Sequence, residues 1–535
     1  MKKTIIYFVL LLSICSRGFS QDVDIYWGKF NAEDRFARTE LIGKRGDYLF
    51  GYKLTRNQTS ILRYSLSDLQ VNGEYPILGK PSKDKPGKMI SDDYTFNSIV
   101  TLKDFFYISV TKYDRKTKEN SLYMQEIDNT GKLAGNLKKV ESIDSKSKFN
   151  RGTFDLIESD DSTKLLLVDY PPYDKYAGEK FTFTTYDEGL NVLKKSEVEL
   201  PFKDKYFDLN DITYGKDGNV YMMAKITLDR KEKTKGEAEY YYELISINTA
   251  GDGSVLQYEI KLPQKYIDGI SFDVDDSKDV ICSGFYGNTT GVAKGDISGI
   301  FFMRINKTTK QVDATGLKDL DKDFVASLTS ARRANKGKGI SNDFKINDFI
   351  RRSDGGNILV AELAYQYVVT TTTTDSHGGM HTESHTHYVR NNIVAININP
   401  DGSIKWYANI PKYQHTVDDG AAYSSYFMAT KADKMYFVYN DNADNMDPAR
   451  IKEGKNSKVM VNASKSTAVL VQLGEDGQFT KTTLFSNKDN KVALMPSSHI
   501  MTSQSEVIVP AYNPGFWCCV SFSPAKSKLA RFDFK

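Results

Sequence analysis

The chain is built from a repeated unit that contains two strand–turn–strand patterns. In the first pattern, a tight polar turn separates two stretches rich in Val, Ile, Tyr and Phe, and the first five copies lie about 57 residues apart. The turn carries an acid in seven copies and a serine in an eighth, degenerate copy: Asp47, Asp104, Asp161, Asp217, Asp276, Asp354, Asp433 and Ser503. Asp, Asn and Gly tolerate the backbone of tight hairpins, and alternating flanks are typical of strands.

In each repeated unit, a second strand–turn–strand pattern follows the first one. The residues that precede its turn are Leu66, Ile127, Tyr186, Ile247, Ile305, Ile398, Leu473 and Phe522. Two hairpin turns per unit give four strands, so eight units predict an all-β fold, a β-propeller with eight four-stranded blades over residues 21–535. A propeller of seven blades is the alternative, because the last of the eight units is degenerate. A strand over residues 24–30 could complete that last unit. Separate β-sandwiches would not need such regular spacing.

One unit is interrupted by an insert over residues 316–343. Apolar residues at helical spacing predict an amphipathic helix there: Leu317, Leu320, Phe324, Leu328 and Ala331. A basic segment with Arg332, Arg333, Lys336 and Lys338 follows, and we interpret it as a solvated loop.

The first 20 residues have the pattern of a secretory signal peptide. Lys2 and Lys3 precede a short apolar run, and Gly18 and Ser20 supply the small residues of a cleavage site. A lipoprotein modified at Cys15 is the alternative. No later apolar run reaches 18 residues, so we predict no transmembrane segment. The expected location is the periplasm, the outer membrane surface or the medium.

The charge balance argues against a nucleic-acid partner. The chain has 72 Lys and Arg residues against 69 Asp and Glu residues, and three of the cations lie in the predicted signal peptide. The remaining charges cancel, so the chain lacks the field that draws proteins to nucleic acids.

The length variation falls on one set of connections. If the strands of a blade are lettered A to D, the A–B and C–D turns are tight, whereas several B–C connections are long. One of them is a predicted projecting hairpin over residues 366–390. Loops on a rigid scaffold commonly carry function, so we predict a ligand-binding face that includes Tyr173, Tyr176, Tyr286, Tyr365, Tyr367 and Asn440.

Two side-chain clusters are candidate metal sites. Four of the six histidines lie in the hairpin, at His377, His381, His385 and His387, and imidazoles at this density can bind Zn²⁺, Cu²⁺ or Ni²⁺. The acids Asp441, Asp444 and Asp447 are a candidate Ca²⁺ site, although the segment lacks the glycine and the final acid of an EF-hand loop. No cofactor is otherwise implied.

Residues 324–485 resemble a family of exported propeller-like proteins of Bacteroidetes-type bacteria. The stretches that carry the resemblance are DFIRRSDGGNILVAE (348–362), NNIVAININPDGSIKWYANIPKYQ (391–414), SSYFMATKADKMYFVYNDN (424–442) and TLFSNKDN (483–490). The resemblance implies a propeller fold and export, and it brings no known activity.

These observations predict an exported, non-catalytic binding or scaffold protein that recognises a protein or a glycan of the cell envelope. The alternative is a carbohydrate-active enzyme, a hydrolase or a lyase, with acidic residues in the axial funnel. The sequence contains no Gly-x-Ser-x-Gly elbow, no His-Glu-x-x-His and no phosphate-binding loop. It assigns no catalytic residue.

Overall fold

A computed structural model describes most of the chain. The described residues are 22–32, 38–80, 89–274, 279–306, 309, 311–374, 379–447, 457–513, 516–518, 521–523 and 525–535. The predicted signal peptide with Cys15, the turn at Asp276 and His377 lie outside this part of the chain.

Seven blades each contain four consecutive antiparallel strands, A to D. Blade 1 has Arg38–Arg45, Tyr48–Leu54, Gln58–Ser65 and Val71–Gly79, with Ile90–Ser91 added in parallel, and blade 2 has Thr95–Thr101, Phe106–Asp114, Glu119–Ile127 and Leu133–Asp144. Blade 3 has Thr153–Glu158, Lys164–Tyr170, Gly178–Asp187 and Val192–Lys203, and blade 4 has Phe207–Tyr214, Val220–Thr227, Tyr240–Ile247 and Val255–Ile260. Blade 5 has Lys265–Val274, Asp279–Asn288, Ile297–Asn306 and Gln311–Asp319. Blade 6 has Phe344–Arg351, Asn357–Thr374, Met380–Ile398 and Ile404–Val417, and blade 7 has Phe427–Lys431, Lys434–Asp441, Thr467–Leu473 and Phe479–Ser486.

The eighth blade is completed by the beginning of the chain. Its A, B and C strands are Ile500–Ser503, Glu506–Asn513 and Lys526–Phe534, and its D strand is Val23–Trp27, which pairs antiparallel with the C strand. The predicted count of eight blades is therefore confirmed. Three short pieces surround this blade: Asn31–Ala32, Ala493–Leu494 and the hairpin Phe516–Cys518 with Ser521–Ser523.

Hydrophobic cores fill the spaces between neighbouring blades. Successive residues of a strand point to opposite faces, so in the B strand of blade 3 Leu165 and Leu167 pack towards blade 2, whereas Leu166 and Val168 pack towards blade 4. A core with Ile508 and Leu529 joins blade 8 to blade 1 and closes the ring. The continuous ring of cores contradicts the alternative of separate sandwiches.

The recurring acids of the A–B turns have a local role. In each of three turns a carboxylate oxygen accepts the backbone N–H two residues later: Asp161 from Thr163, Asp217 from Asn219 and Asp354 from Gly356. Such side-chain bonds stabilise the turn conformation. The repeat of acids thus reports the turns of the fold rather than a catalytic pattern.

The insert contains two short helices instead of one longer helix. Helix α1 is Lys322–Leu328 and helix α2 is Ala331–Asn335, and a third helix, α3, is Asn487–Asn490 in another connection. Leu317 belongs to the D strand of blade 5, not to the predicted helix. Phe324 and Val325 are buried in the core between blades 5 and 6. The 3₁₀ turns are Asp204–Tyr206, Ala443–Met446, Ala463–Lys465 and Pro496–Ser498.

No helix within the described ranges is long and apolar enough to cross a membrane.

Candidate functional site

The B–C and D–A connections emerge together at one end of the propeller, here called the loop face. It carries the B–C loops 171–177, 228–239, 289–296 and 442–466 and the D–A segment 320–343. The A–B and C–D turns at the opposite end are short. Loop elaboration is thus concentrated on one face, and loops on a rigid scaffold commonly form the binding site.

A cleft of about 460 Å³ opens on the loop face above blades 2 and 3. One wall is the D–A connection of blade 2, Lys148 to Thr153, and the other is Pro171 and Tyr173 of the B–C loop of blade 3. The Asn150 side chain donates through Nδ2 to the Tyr173 carbonyl at 2.8 Å and so ties the two walls together. We call this site the blade 2–3 cleft.

Aromatic rings project from the walls of this cleft. Phe149 is 93% exposed, Tyr173 is 53% exposed and neighbouring Tyr176 is 71% exposed. Three large rings so open to water within one small region are unusual, because aromatic side chains dominate cores and interfaces. The two tyrosines were predicted for a ligand-binding face, and Phe149 was not.

Cations accompany the rings. Lys148 lies over the Phe149 ring at 5.8 Å, Arg151 over Tyr113 at 5.7 Å and Lys175 over Tyr176 at 4.6 Å. Neither Lys148 nor Arg151 forms an ion pair with a described residue, whereas Lys146 is paired with Asp174 at 2.6 Å. The blade 2–3 cleft is therefore an aromatic site with cations available to an anionic ligand.

A buried acid lies on the strand that leads into one wall of this cleft. Asp169 precedes Tyr170 and Pro171 at the end of the B strand of blade 3 and is 6% exposed. Its Oδ1 has no hydrogen-bond partner among the described residues. Burial, with the neighbouring Glu141 carboxylate, raises the pKa of Asp169 to about 7.

We expect Asp169→Asn to stabilise the protein increasingly as the pH rises from about 4 to about 7. The native state keeps the Asp169 proton up to about pH 7, whereas the unfolded state loses it near pH 3.9. The wild-type free energy of unfolding therefore contains a contribution that falls over this interval. Above pH 7 the advantage of the variant levels off at about 2 kcal/mol, because Asn still buries a polar amide.

Urea unfolding at pH 4, 6 and 8 measures this difference. Asp160→Asn is the matched control, since Asp160 is an exposed carboxyl in the A–B turn of the same blade. A variant advantage of equal size at pH 4 and pH 8 would contradict a raised Asp169 pKa.

The blade 6 hairpin places a second group of predicted residues together. The B and C strands extend beyond the body of the blade, and the D strand covers the base of the extension, with Val389 paired to His415. Tyr365, Tyr367, His385 and His387 share one face of this sheet. The Tyr367 and His387 rings stack at 4.8 Å, and the Tyr365 and Tyr367 rings stack at 6.3 Å.

Two residues that were not predicted complete this group. His387 Nδ1 lies 2.8 Å from Nε2 of His415, and His385 Nδ1 lies 2.7 Å from Oδ2 of Asp418. The Asp418 carboxylate raises the pKa of His385 above its usual value. His381 is exposed and lies nearer the tip of the hairpin than either His385 or His387.

Two residues predicted for the ligand-binding face are buried. Tyr286 is 1% exposed and its hydroxyl donates to Asp319 Oδ1 at 2.7 Å. Asn440 is 0% exposed and donates through Nδ2 to the carbonyls of Tyr423 and Leu494. Both residues lie in B strands that continue further than expected. Their prediction as residues of an exposed ligand-binding face was therefore wrong.

The candidate Ca²⁺ ligands of blade 7 do not form one cluster of open carboxylates. Asp441 is fully buried and its Oδ2 lies 2.5 Å from the Lys481 ammonium group. Asp444 is paired with Lys458, and Asp447 is exposed after the 3₁₀ turn. In the part of the chain that the structure describes, no group of three or more His, Cys, Asp or Glu side chains is arranged to hold a metal ion. The Ca²⁺ and Zn²⁺ sites remain predictions.

Two acids on A strands tie neighbouring blades together. Glu158 of blade 3 accepts from the Thr101 hydroxyl of blade 2 at 2.8 Å. Asp348 of blade 6 accepts from the Tyr426 hydroxyl, which precedes blade 7, at 3.0 Å. Burial raises the pKa of both acids. Their bonds give them a structural role.

Comparison with known proteins adds similarity at the level of folds alone. No protein-family model and no curated protein matches the chain. A protein of unknown function from Bacteroides caccae is 13% identical, over 70% of this chain and 93% of its own, with a TM-score of 0.25. An uncharacterised Listeria monocytogenes protein is 8% identical, over 80% and 94%, with a TM-score of 0.34.

A third similar structure is the β-propeller domain of the Trilobed protease from Pyrococcus furiosus. It is 10% identical, over 84% of this chain and 98% of its own, with a TM-score of 0.34. Similarities of this size carry no functional assignment. The resemblance to an exported Bacteroidetes-type family therefore stays a prediction, and function has to be argued from the loop face.

Proposed function

We propose that the protein is exported and binds an anionic glycan of the cell envelope in the blade 2–3 cleft, without catalysing a reaction. The observation that carries this proposal is the combination of exposed rings, above all Phe149 and Tyr173, with the unpaired cations Lys148 and Arg151 around one open cleft. Export is supported by the pattern of residues 1–20.

The chemistry of the cleft suits a charged sugar chain. The apolar faces of rings can cover the C–H faces of a sugar and remove both from water. Arg and Lys bind carboxylate or phosphate through charge-assisted hydrogen bonds. An acidic protein segment would satisfy the cations but would offer no such faces to Phe149 and Tyr173.

Calorimetric titration with three probes tests the proposal. The probes are an oligogalacturonate, a neutral malto-oligosaccharide of equal length and a poly-glutamate peptide. We expect binding of the oligogalacturonate alone. Phe149→Ala is expected to weaken it about tenfold, the effect of a moderate interface hot spot. Arg151→Ala should reduce the preference for the charged over the neutral sugar.

The matched control is Tyr26→Ala. Tyr26 is 48% exposed with an Arg531 guanidinium 4.6 Å from its ring, but it lies on the outer strand of blade 8. This variant should bind like the wild type. Equal affinity for poly-glutamate would point to a protein partner, and unchanged binding by Phe149→Ala would remove the cleft from the proposal.

The alternative function, cleavage of carbohydrate, is tested on the same samples. The acid on the strand that leads into one wall of the cleft, Asp169, has the raised pKa that a general acid needs, although its side chain is buried. Chain shortening of the oligogalacturonate during incubation, abolished by Asp169→Asn, would replace the binding proposal with an enzymatic one.

A further inference from the structure

The base of the blade 6 hairpin brings two imidazole nitrogens to one point. His387 lies on the C strand and His415 on the D strand, and because Val389 is paired with His415 the two histidines are diagonal neighbours on one face. Nδ1 of His387 and Nε2 of His415 are 2.8 Å apart. Both side chains are partly buried, and the Tyr367 ring covers His387 in a nearly parallel stack, with 4° between the planes.

We propose that His387 and His415 form a two-histidine site for Cu²⁺, with Ni²⁺ as the weaker ligand of the same class. Metal–imidazole bonds are about 2.0–2.1 Å long, so nitrogens 2.8 Å apart subtend an angle of about 85–90° at a shared metal. That angle fits adjacent corners of the square-planar or tetragonal coordination of Cu²⁺ and Ni²⁺.

Zinc fits this pair less well. Tetrahedral coordination would place the two nitrogens about 3.3 Å apart at the same bond length. The order of affinities for divalent metals also places Cu²⁺ above both Ni²⁺ and Zn²⁺ for nitrogen ligands. The geometry therefore narrows the predicted metals to Cu²⁺ and Ni²⁺ and changes the ligands, since His415 joins His387 in place of His377, His381 and His385.

Binding must replace the hydrogen bond between the two rings. In the metal-free pair, one of the two facing nitrogens carries a hydrogen and donates a hydrogen bond to the other nitrogen. For both nitrogens to coordinate Cu²⁺, the donor ring moves that proton to its other nitrogen through solvent, so the two imidazoles remain neutral ligands. The remaining positions on the metal belong to water or to Tyr367, whose hydroxyl oxygen lies 3.4 Å from His415 Nε2.

The neighbouring histidines are separated from this pair. Nδ1 of His385 is held by Asp418 at 2.7 Å, and His381 lies nearer the hairpin tip, opposite Thr373. These residues provide matched controls, because they have the same chemistry on the same face.

The test is titration of the purified, chelator-treated protein with Cu²⁺ in a glycine buffer that competes for weakly bound copper. We expect one Cu²⁺ per chain, an electron paramagnetic resonance spectrum split by two nitrogens, and no displacement by equimolar Zn²⁺. Loss of a mere outer-shell partner costs about 10- to 100-fold in metal affinity, so His387→Asn and His415→Asn should each weaken binding at least tenfold. His381→Asn and His385→Asn should leave it unchanged.

Three results would overturn the site. Copper bound with the same affinity by His415→Asn would exclude the pair. Equal losses in all four variants would indicate adventitious binding to the histidine-rich hairpin. A spectrum with one nitrogen or more than two would contradict the coordination. Circular dichroism of each variant shows whether it remains folded, and the wild-type spectrum is informative by itself.

Discussion

Replacing Lys412 with Met is expected to lower the free energy of unfolding by about 3–5 kcal/mol. Lys412 is fully buried, and its ammonium group lies 2.6 Å from Oε1 of Glu362, which is 2% exposed. Without Lys412 the buried Glu362 carboxylate keeps the Arg390 guanidinium at 3.9 Å and the Ser425 hydroxyl at 3.0 Å but loses its nearest cation. Breaking a buried ion pair in this way costs more than the pair itself contributes. The same change at an exposed lysine costs almost nothing.

The hydrogen bonds that Lys412 makes belong to a network that crosses the interface between blades 6 and 7. Lys412 also donates to the Arg390 carbonyl at 2.7 Å and to Gln414 Oε1 at 3.0 Å. Gln414 in turn donates to the carbonyl of Asn440 in blade 7 at 2.8 Å. Because this network lies below the loop face, its loss should loosen the connection that follows the hairpin as well as the core.

Urea unfolding followed by tryptophan fluorescence measures the effect. Trp406 reports on this interface, since its Nε1 donates to the Glu475 carbonyl of blade 7 at 2.6 Å. The double variant Glu362→Gln, Lys412→Met should be more stable than Lys412→Met alone, because it removes the buried carboxylate that has lost its nearest cation. Lys405→Met, an exposed position on the same strand, is the control. Equal stability of the single and double variants would assign the loss to packing instead of charge.

The fold was accessible to sequence reasoning because a propeller repeats its turns. The acids of the A–B turns are held in place by local bonds, such as Asp217 Oδ1 with the Asn219 N–H, so they recur wherever the turn recurs. The prediction of one helix that begins at Leu317 was wrong. Leu317 continues the helical spacing of Phe324, but pairing with Phe301 in the neighbouring strand keeps it in a sheet, and local periodicity does not reveal such a partner.

The site residues show where a single sequence stops being informative. Tyr286 and Asn440 were predicted to lie in loops because strand ends are poorly marked in a sequence. The B strands continue to Asn288 and Asp441, so both Tyr286 and Asn440 are buried strand residues. His415 and Asp418 reach the hairpin histidines only through the register of the C and D strands. Phe149 lies on a D–A connection, which shares the loop face with the B–C loops, whereas the length variation in the sequence points to the B–C loops alone.

The acids on A strands bear on the choice between binding and catalysis. A glycosidase needs two carboxyl groups facing one sugar bond from opposite sides. Glu158 and Asp348 are bonded to the neighbouring blades. Asp268, on the A strand of blade 5, has an Oδ2 without a hydrogen-bond partner among the described residues, and burial raises its pKa to about 6. The binding proposal rests instead on the blade 2–3 cleft, whose accessible groups are aromatic rings and cations.

Removing residues 22–30 is expected to destabilise the whole ring, by on the order of 5 kcal/mol. Val23 is fully buried in the core between blades 7 and 8, and Ile25 and Trp27 pack against the same core. Fully burying one such side chain contributes about 1.5–3 kcal/mol. The deletion also strips the C strand of blade 8 of its partner along the whole of Val23–Trp27, and an unpaired edge favours aggregation.

A point variant separates ring closure from mere shortening of the chain. Val23→Asp leaves the backbone intact but places a charge in the closing core, so it should reproduce most of the loss, whereas Lys29→Asp, an exposed position just beyond the strand, should not. Thermal unfolding of the deletion variant and of Val23→Asp should give a single transition at lower temperature, because each core is shared by two blades, whereas Lys29→Asp should unfold like the wild type. A separate early transition confined to blade 8 would mean that the other seven blades hold together without closure, and the expected cost of losing Val23–Trp27 would then be local.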